Sequence, residues 1–200
     1  MSLPRVYPIV DSAAWVRRLA PLGVGLVQLR IKEQHEERVA AEIRAAQACC
    51  RAHGVQLIVN DYWRLALEAG CDFVHLGQAD LAAADLPALR RAGVRLGIST
   101  HDEAELERAL AAAPDYVALG PIYPTLLKVM PWEPQGLGRI RTWKTRIGTL
   151  PLVAIGGLTV ARLAGVFAAG ADVAAVVTDI VRAADPDART REWLAVAAAA

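Results

Sequence analysis

Residues 116–128 read YVALGPIYPTLLK. An apolar strand over 116–119 stops at Gly120-Pro121 and runs out into a segment that bears Thr125 and ends in Lys128. A buried strand opening into a polar loop is how a parallel barrel presents chemistry at its carboxyl edge. Three prolines follow Pro121 before position 135, too many for a helix interior, so 121–134 reads as one long active-site loop.

The same grammar repeats on both sides of this stretch. Apolar runs at 6–10, 24–30, 55–59, 73–76, 95–98, 152–155 and 173–177 read as strands, each separated from the next by a helical segment. Helices are predicted over 12–19, 36–53, 63–68, 86–91, 102–112, 137–146, 159–169 and 187–199, and Gly54, Gly70, Gly93 and Gly170 stop four of them. Eight strand-helix units predict one (β/α)8 TIM barrel forming a single domain over 1–200, although about 250 residues is usual for that fold. An open doubly wound sheet is the alternative. It would concentrate its site at one switch point, whereas polar residues follow strands two through eight here.

Composition narrows the function. The 200 residues are 54% hydrophobic and 22% charged, with a formal net charge of +1. Such a balance exerts no general pull on nucleic acid, so an anion must be held by a local site. The basic run Arg139, Arg141, Lys144 and Arg146 reads as a solvated helix face. Cys49, Cys50 and Cys71 form no CxxC pair and are odd in number, which points to reduced thiols and a cytoplasmic protein. The first residues lack the regions of a signal peptide, and no run of eighteen apolar residues predicts a membrane span.

The strand ends carry the chemistry. Gln28, Arg30 and Lys32 alternate, so their side chains share one side, the barrel axis if Leu29 and Ile31 pack against helices. Two cations and an amide there suit a phosphate-bearing substrate. Asn60, the only asparagine, precedes Asp61 after strand three, and Asp80 follows strand four. Two carboxylates from neighbouring loops, a pair without histidines, fit magnesium better than zinc; Asp61 has the alternative of capping the helix near Trp63. Ser99, Thr100 and His101 precede a helix, where hydroxyls beside backbone amides make a phosphate cradle, although Thr100 or Asp102 has capping as its alternative role. His75 reads as a satisfied structural histidine, and His35 and His53 as surface residues. Gly156-Gly157 and the Thr178-Asp179 turn occupy the usual position of a phosphate site in this fold. Two anion sites are thus expected, one supported by magnesium and one free of metal, with Thr125 and Lys128 on the loop between them.

Seven segments carry a family likeness: VQLRIK at 27–32, NDYWRLA at 60–66, VHLGQADL at 74–81, GIST at 97–100, LGPIYPTLLK at 119–128, PQGL at 134–137 and AIGG at 154–157. In this order, over nearly the whole chain, they resemble thiamine phosphate synthase, also called thiamine-phosphate pyrophosphorylase. The resemblance implies a transferase of thiamine biosynthesis that joins hydroxymethylpyrimidine pyrophosphate to hydroxyethylthiazole phosphate and releases pyrophosphate. It implies that Gln28, Arg30, Lys32 and Asn60 hold the pyrimidine pyrophosphate and that Asp61 and Asp80 bind magnesium. Ser99 and Lys128 are implied to contact the departing pyrophosphate, and Thr125, Gly157, Val177 and Thr178 to surround the thiazole phosphate. Family members commonly place a threonine directly before the loop lysine. Leu127 stands there instead, and a hydroxyl bond to a charged group is worth about 1.5–3 kcal/mol.

Two other functions remain open at this point. A thiazole tautomerase-like barrel would need proton transfer rather than a metal-bound leaving group. Those relatives often carry a histidine just after strand six, where this chain has Pro121. A non-catalytic phosphometabolite-binding barrel would bind without turnover. No nucleic-acid or membrane partner is implied by either.

Overall fold

The strands form because short β-branched and aliphatic runs are each closed by a polar turn or a glycine. In the computed structural model, which describes residues 3–32, 34–125 and 132–200, all eight are parallel and hydrogen-bonded to their sequence neighbours, with the first and last also paired. They are β1 (Val6–Val10), β2 (Leu26–Leu29), β3 (Gln56–Asn60), β4 (Phe73–Leu76), β5 (Arg95–Thr100), β6 (Tyr116–Leu119), β7 (Leu152–Ala154) and β8 (Val173–Val176). The barrel is closed, so no sheet edge is left to pair with another chain.

Helices lie between the strands in the described residues: α1 (Ala13–Leu19), α2 (Glu36–His53), α3 (Trp63–Glu68), α4 (Gln78–Ala83), α5 (Leu86–Arg91), α6 (Glu103–Ala111), α7 (Gly136–Ile147), α8 (Leu163–Ala168), α9 (Thr178–Val181) and α10 (Pro186–Ala199). α4 and α9 were not expected. α4 begins at Gly77 without any side-chain cap, and α9 fills the place read as the Thr178-Asp179 turn. Asp102 caps α6 by accepting from the Glu105 amide at 2.8 Å, as one alternative held. No described helix is long and apolar enough to cross a membrane.

Period-two alternation divides the core in two. Tyr7, Ile9, Leu26, Ile58, Phe73, Tyr116, Val153 and Val173 fill the barrel interior. Their neighbours, among them Val10, Val27, Leu57, Val74, Ile98, Val117 and Ala174, pack outward against the helices. One interior position is filled from across the sheet. Gly97 faces Tyr116 in register, and a Cβ built on it would lie 2.1 Å from the Tyr116 ring, so glycine is what lets that ring cross the barrel.

Outside the barrel, the basic face of α7 is tied to its neighbours. Arg139 and Arg146 pair with Glu103 at 3.0 and 2.5 Å, and Lys144 pairs with Asp172 at 2.7 Å. Exposed pairs of this kind contribute about 0–1 kcal/mol each.

Candidate active site

The interior parity, continued past the last ladder bond of each strand, decides which side chains reach the carboxyl-end mouth. A cavity of about 630 Å³ opens there. Arg30, Lys32, Asn60, Asp61, Asp80, Ser99, Thr125, Gly157, Val177 and Thr178 all line it. A smaller concavity of about 380 Å³ lies at the opposite end of β3 and β4, beside Cys50, Arg51, Gln56, Cys71 and Asp72. Burial pushes the Cys50 and Cys71 thiols up to about 12 and about 11, so neither is a ready nucleophile.

Two expected residues stand apart. Gln28 faces the barrel axis but sits too deep to line the cavity: it is 2% exposed, and its amide donates to the Tyr7 hydroxyl at 2.8 Å. Lys128, together with Leu127, lies outside the described residues. A third residue departs from the phosphate cradle drawn from the sequence. Thr100 points outward from the barrel, donating to the Ala118 carbonyl at 2.9 Å and accepting from the Trp143 indole at 3.0 Å. Strand β5 runs two residues beyond its expected end, and parity then turns Ser99 inward and Thr100 outward.

The acidic side of the mouth is built on backbone strain. Asp61 holds a left-handed backbone with φ of 63°, which costs a non-glycine residue about 1–3 kcal/mol and is found at functional positions. Its amide donates to the His75 carbonyl at 2.9 Å, and its carboxylate pairs with the Lys32 ammonium. Tyr62, not Asp61, stands at the start of α3, and no side chain caps that helix. Asp80 sits in the first turn of α4. Burial, then the neighbouring Asp61 charge, raises its carboxyl above the usual range, and Lys32 opposes the shift. Asp61 and Asp80 side by side are a donor set that could seat a cation, and with two carboxylates an oxygen-loving ion would complete its shell from substrate and water. Magnesium fits this donor set. Among the described residues no group of three or more histidine, cysteine or acidic side chains gathers for a metal.

Asn60 supplies a separate donor at the mouth. Its amide Nδ2 is the one buried side-chain nitrogen or oxygen without a hydrogen-bond partner among the described residues. A buried donor left unmade costs about 1–3 kcal/mol, which an acceptor brought into the cavity relieves.

Across the mouth, Gly156 and Gly157 have φ of 97° and 64°. They seat the start of the long loop: the amides of Ile122 and Tyr123 donate to the carbonyls of Ile155 and Gly156 at 2.9 and 3.0 Å. A Cβ on Gly156 would lie 2.6 Å from Pro121 Cα, and one on Gly157 would lie 2.4 Å from the Pro124 carbonyl. The glycines therefore admit the loop as well as facing the cavity. Gly120-Pro121 is a cis peptide.

Several cavity residues were given no binding or catalytic role of their own from the sequence. His75, read as structural, is indeed satisfied on both ring nitrogens, by the Tyr116 hydroxyl at 2.7 Å and the Ser99 hydroxyl at 2.8 Å. It also lines the cavity, and burial lowers its pKa to about 4. The HxLG spacing inside strand four was the available signal, since parity puts His75 inward with Phe73. His101 bonds Glu105 at 2.7 Å and stacks on Trp132, with ring centroids 5.5 Å apart and planes 8° apart. Gln78 donates to the Ser99 carbonyl at 2.8 Å. Trp132 had no sequence signal, because its partner, His101, lies far away along the chain in a different loop.

A closed parallel barrel whose mouth sets cations and a carboxylate pair opposite a glycine-lined pocket is a (β/α)8 enzyme of phosphate-ester chemistry. The chain belongs to the thiamine monophosphate synthase family, which it matches over residues 6–180. It is 64% identical over 198 residues to a thiamine-phosphate synthase of Rhizobium etli, covering 99% of this chain and 97% of the relative. It is 48% identical over 192 residues to one from Escherichia coli, covering 96% and 91%. The fold is shared with thiamine phosphate pyrophosphorylase from Pyrococcus furiosus at a TM-score of 0.86 and 23% identity, covering 98% of this chain and 96% of that one. A 3-hexulose-6-phosphate synthase shares it at a TM-score of 0.69 and 20% identity, covering 96% and 99%. The chain is thus an enzyme, a transferase of thiamine biosynthesis, and its reaction is the synthesis of thiamine phosphate.

Proposed function

We propose that the chain, acting as one catalytic unit, joins hydroxymethylpyrimidine pyrophosphate to hydroxyethylthiazole phosphate by a dissociative substitution. The observation that carries this reading is the division of the mouth. Among the lining residues, Arg30, Lys32, Asn60, Asp61, Asp80 and Ser99 come from the ends of β2 to β5, and Gly157, Val177 and Thr178 from those of β7 and β8.

On the first side Arg30 and Lys32 bind the pyrophosphate, and Asn60 donates its otherwise orphaned amide to it. Asp61 and Asp80 would hold magnesium, which would supply positive charge against the leaving group. Ser99 and Lys128 contact the pyrophosphate as it departs. On the second side Gly157, the Val177 backbone and the Thr178 hydroxyl bind the thiazole phosphate, and Thr125 closes this subsite from the loop. The pyrimidine methylene loses pyrophosphate to give a cation spread into the ring, and the thiazole nitrogen traps it. The protein's contribution is positioning and electrostatics, with no covalent nucleophile. Three free cysteines and small phosphorylated substrates support a cytoplasmic location.

Pyrophosphate release with both substrates, with and without magnesium, tests the reading. Release that needs magnesium and both substrates is expected. Binding heat without turnover would favour a binding barrel, and magnesium-independent loss of a thiazole-ring proton would favour a tautomerase. A Lys128→Ala enzyme with an unchanged single-turnover rate would remove that residue from the leaving-group contacts.

A further inference from the structure

Beneath the cavity floor a file of polar groups runs through the otherwise apolar barrel interior. Gln28 Nε2 donates to the Tyr7 hydroxyl at 2.8 Å. Tyr7 meets the Tyr116 hydroxyl at 3.0 Å, Tyr116 meets His75 Nδ1 at 2.7 Å, and His75 Nε2 meets Ser99 Oγ at 2.8 Å. Four of the five side chains are almost fully enclosed: Gln28 is 2% exposed, Tyr7 1%, Tyr116 0% and His75 6%. Only Ser99 is partly open, and it lines the cavity.

Each bond in such a file needs one hydrogen, and an amide nitrogen only donates. The Gln28 N–H fills the first bond, so the Tyr7 proton must serve the second. The Tyr116 proton then serves the third and points at His75 Nδ1. His75 Nδ1 is therefore an acceptor, its proton sits on Nε2, and that proton fills the fourth bond, to Ser99 Oγ. The hydrogen of Ser99 itself is left over, outside the file, on the side of the cavity. A reversed file would leave the Tyr7 oxygen facing two incoming hydrogens with its own proton displaced, in a space where an unmade bond is costly.

We propose that Gln28, Tyr7, Tyr116 and His75 form a one-way relay that keeps the Ser99 hydroxyl a hydrogen-bond donor toward an anion in the mouth. These four are positioning residues, and Ser99 is the residue that touches the ligand. A lone serine hydroxyl donates or accepts with equal ease. Here it arrives already oriented, so no rotation is needed when negative charge develops on the departing phosphoryl oxygen. The register supports the same end, since Gly97 leaves the space through which the Tyr116 ring reaches His75. The inference rests on the reading that Ser99 meets the leaving pyrophosphate.

The test is nitrogen-15 NMR of the intact, ligand-free enzyme at neutral pH, with the His75 signals identified by their loss in His75→Gln. The Nε2–H tautomer is expected; the Nδ1–H tautomer overturns the relay. Tyr7→Phe removes the second bond while keeping the ring. It is expected to bring in a second tautomer and to lower kcat about ten- to hundredfold, the range for losing one oriented bond to a charged group, with less change in KM. Unchanged tautomer and unchanged kcat in Tyr7→Phe would also overturn it. Gln28→Met provides the same cut at the head of the file, and the wild-type spectrum stands even if neither variant folds. Ser99→Ala separates the two ideas. Full activity in that variant refutes the leaving-group contact, whereas a damaged Ser99→Ala enzyme beside a wild-type Nδ1–H tautomer refutes only the relay.

Discussion

Gly156→Ala separates backbone strain from steric obstruction, because another glycine in the chain provides the first without the second. At Gly156 the φ of 97° costs an alanine about 1–2 kcal/mol. Its Cβ would also lie 2.6 Å from Pro121 Cα and 2.7 Å from Pro121 Cβ, against a loop backbone rather than the end of a flexible chain. Overpacking of this kind adds about 1–3 kcal/mol, giving about 2–5 kcal/mol together. Gly54, which ends α2 with φ of 67°, has nothing within 4 Å of a built Cβ, so Gly54→Ala incurs only the backbone cost, about 1–2 kcal/mol. In a chain of this size each kcal/mol lowers the melting temperature by about 2–4 °C. Thermal unfolding should therefore place Gly156→Ala about 4–20 °C below the wild type and Gly54→Ala about 2–8 °C below it. Steady-state pyrophosphate release should fall in Gly156→Ala, since the obstruction pushes away the loop that carries Thr125, and stay at the wild-type level in Gly54→Ala. Equal melting temperatures for the two variants, with full activity in both, would refute the claim that the glycine seats the loop.

Asp80→Asn should weaken magnesium binding by more than about tenfold, the lower end of what an outer-shell partner is worth, read by magnesium titration of pyrophosphate release. The same variant without metal should flatten a pH dependence: the raised Asp80 carboxyl favours the folded state at low pH, and this is lost as pH rises through its folded value. His75 acts in the opposite sense. Its pKa falls from 6.5 to about 4, so its contribution is complete above pH 6.5 and is lost as pH drops toward 4. Urea unfolding across that window should show a slope worth about 3 kcal/mol in the wild type, absent from His75→Gln. Gly97→Ala drives a Cβ to 2.1 Å from the buried Tyr116 ring, and urea titration should show about 3 kcal/mol or more of lost stability.

The barrel was legible because its signal is repeated and local. Alternation such as Leu26, Val27, Gln28, Leu29 assigns one face to the axis and one to the helices, and glycines such as Gly54 mark helix ends by chirality alone. Short helices were less so. In α4 the run Gln78–Ala83 lacks both an apolar stripe and a capping side chain, and what holds it includes Gln78 reaching the Ser99 carbonyl, a contact from another strand. Most mouth residues followed from their place after a strand end, and Arg30 and Lys32 from strand parity, which gives direction but not depth. That is why Gln28 was placed beside Arg30 when it lies below the cavity, bonded to Tyr7. Thr100 failed for a related reason: extending β5 past Ile98 turns it outward to Trp143. Tyr7 and Tyr116 gave no sequence sign of their meeting, 109 positions apart.

If Asp61 and Asp80 hold magnesium as proposed, the Lys32–Asp61 ion pair bears on the order in which the mouth would fill. The Asp61 carboxylate, on the strained turn, has a counter-ion belonging to the protein itself. A divalent metal arriving alone would have to displace that ammonium from the carboxylate. Arriving with a polyphosphate, it would hand the lysine a new anion in the same move, which on the proposed reading favours entry of metal and substrate as one complex.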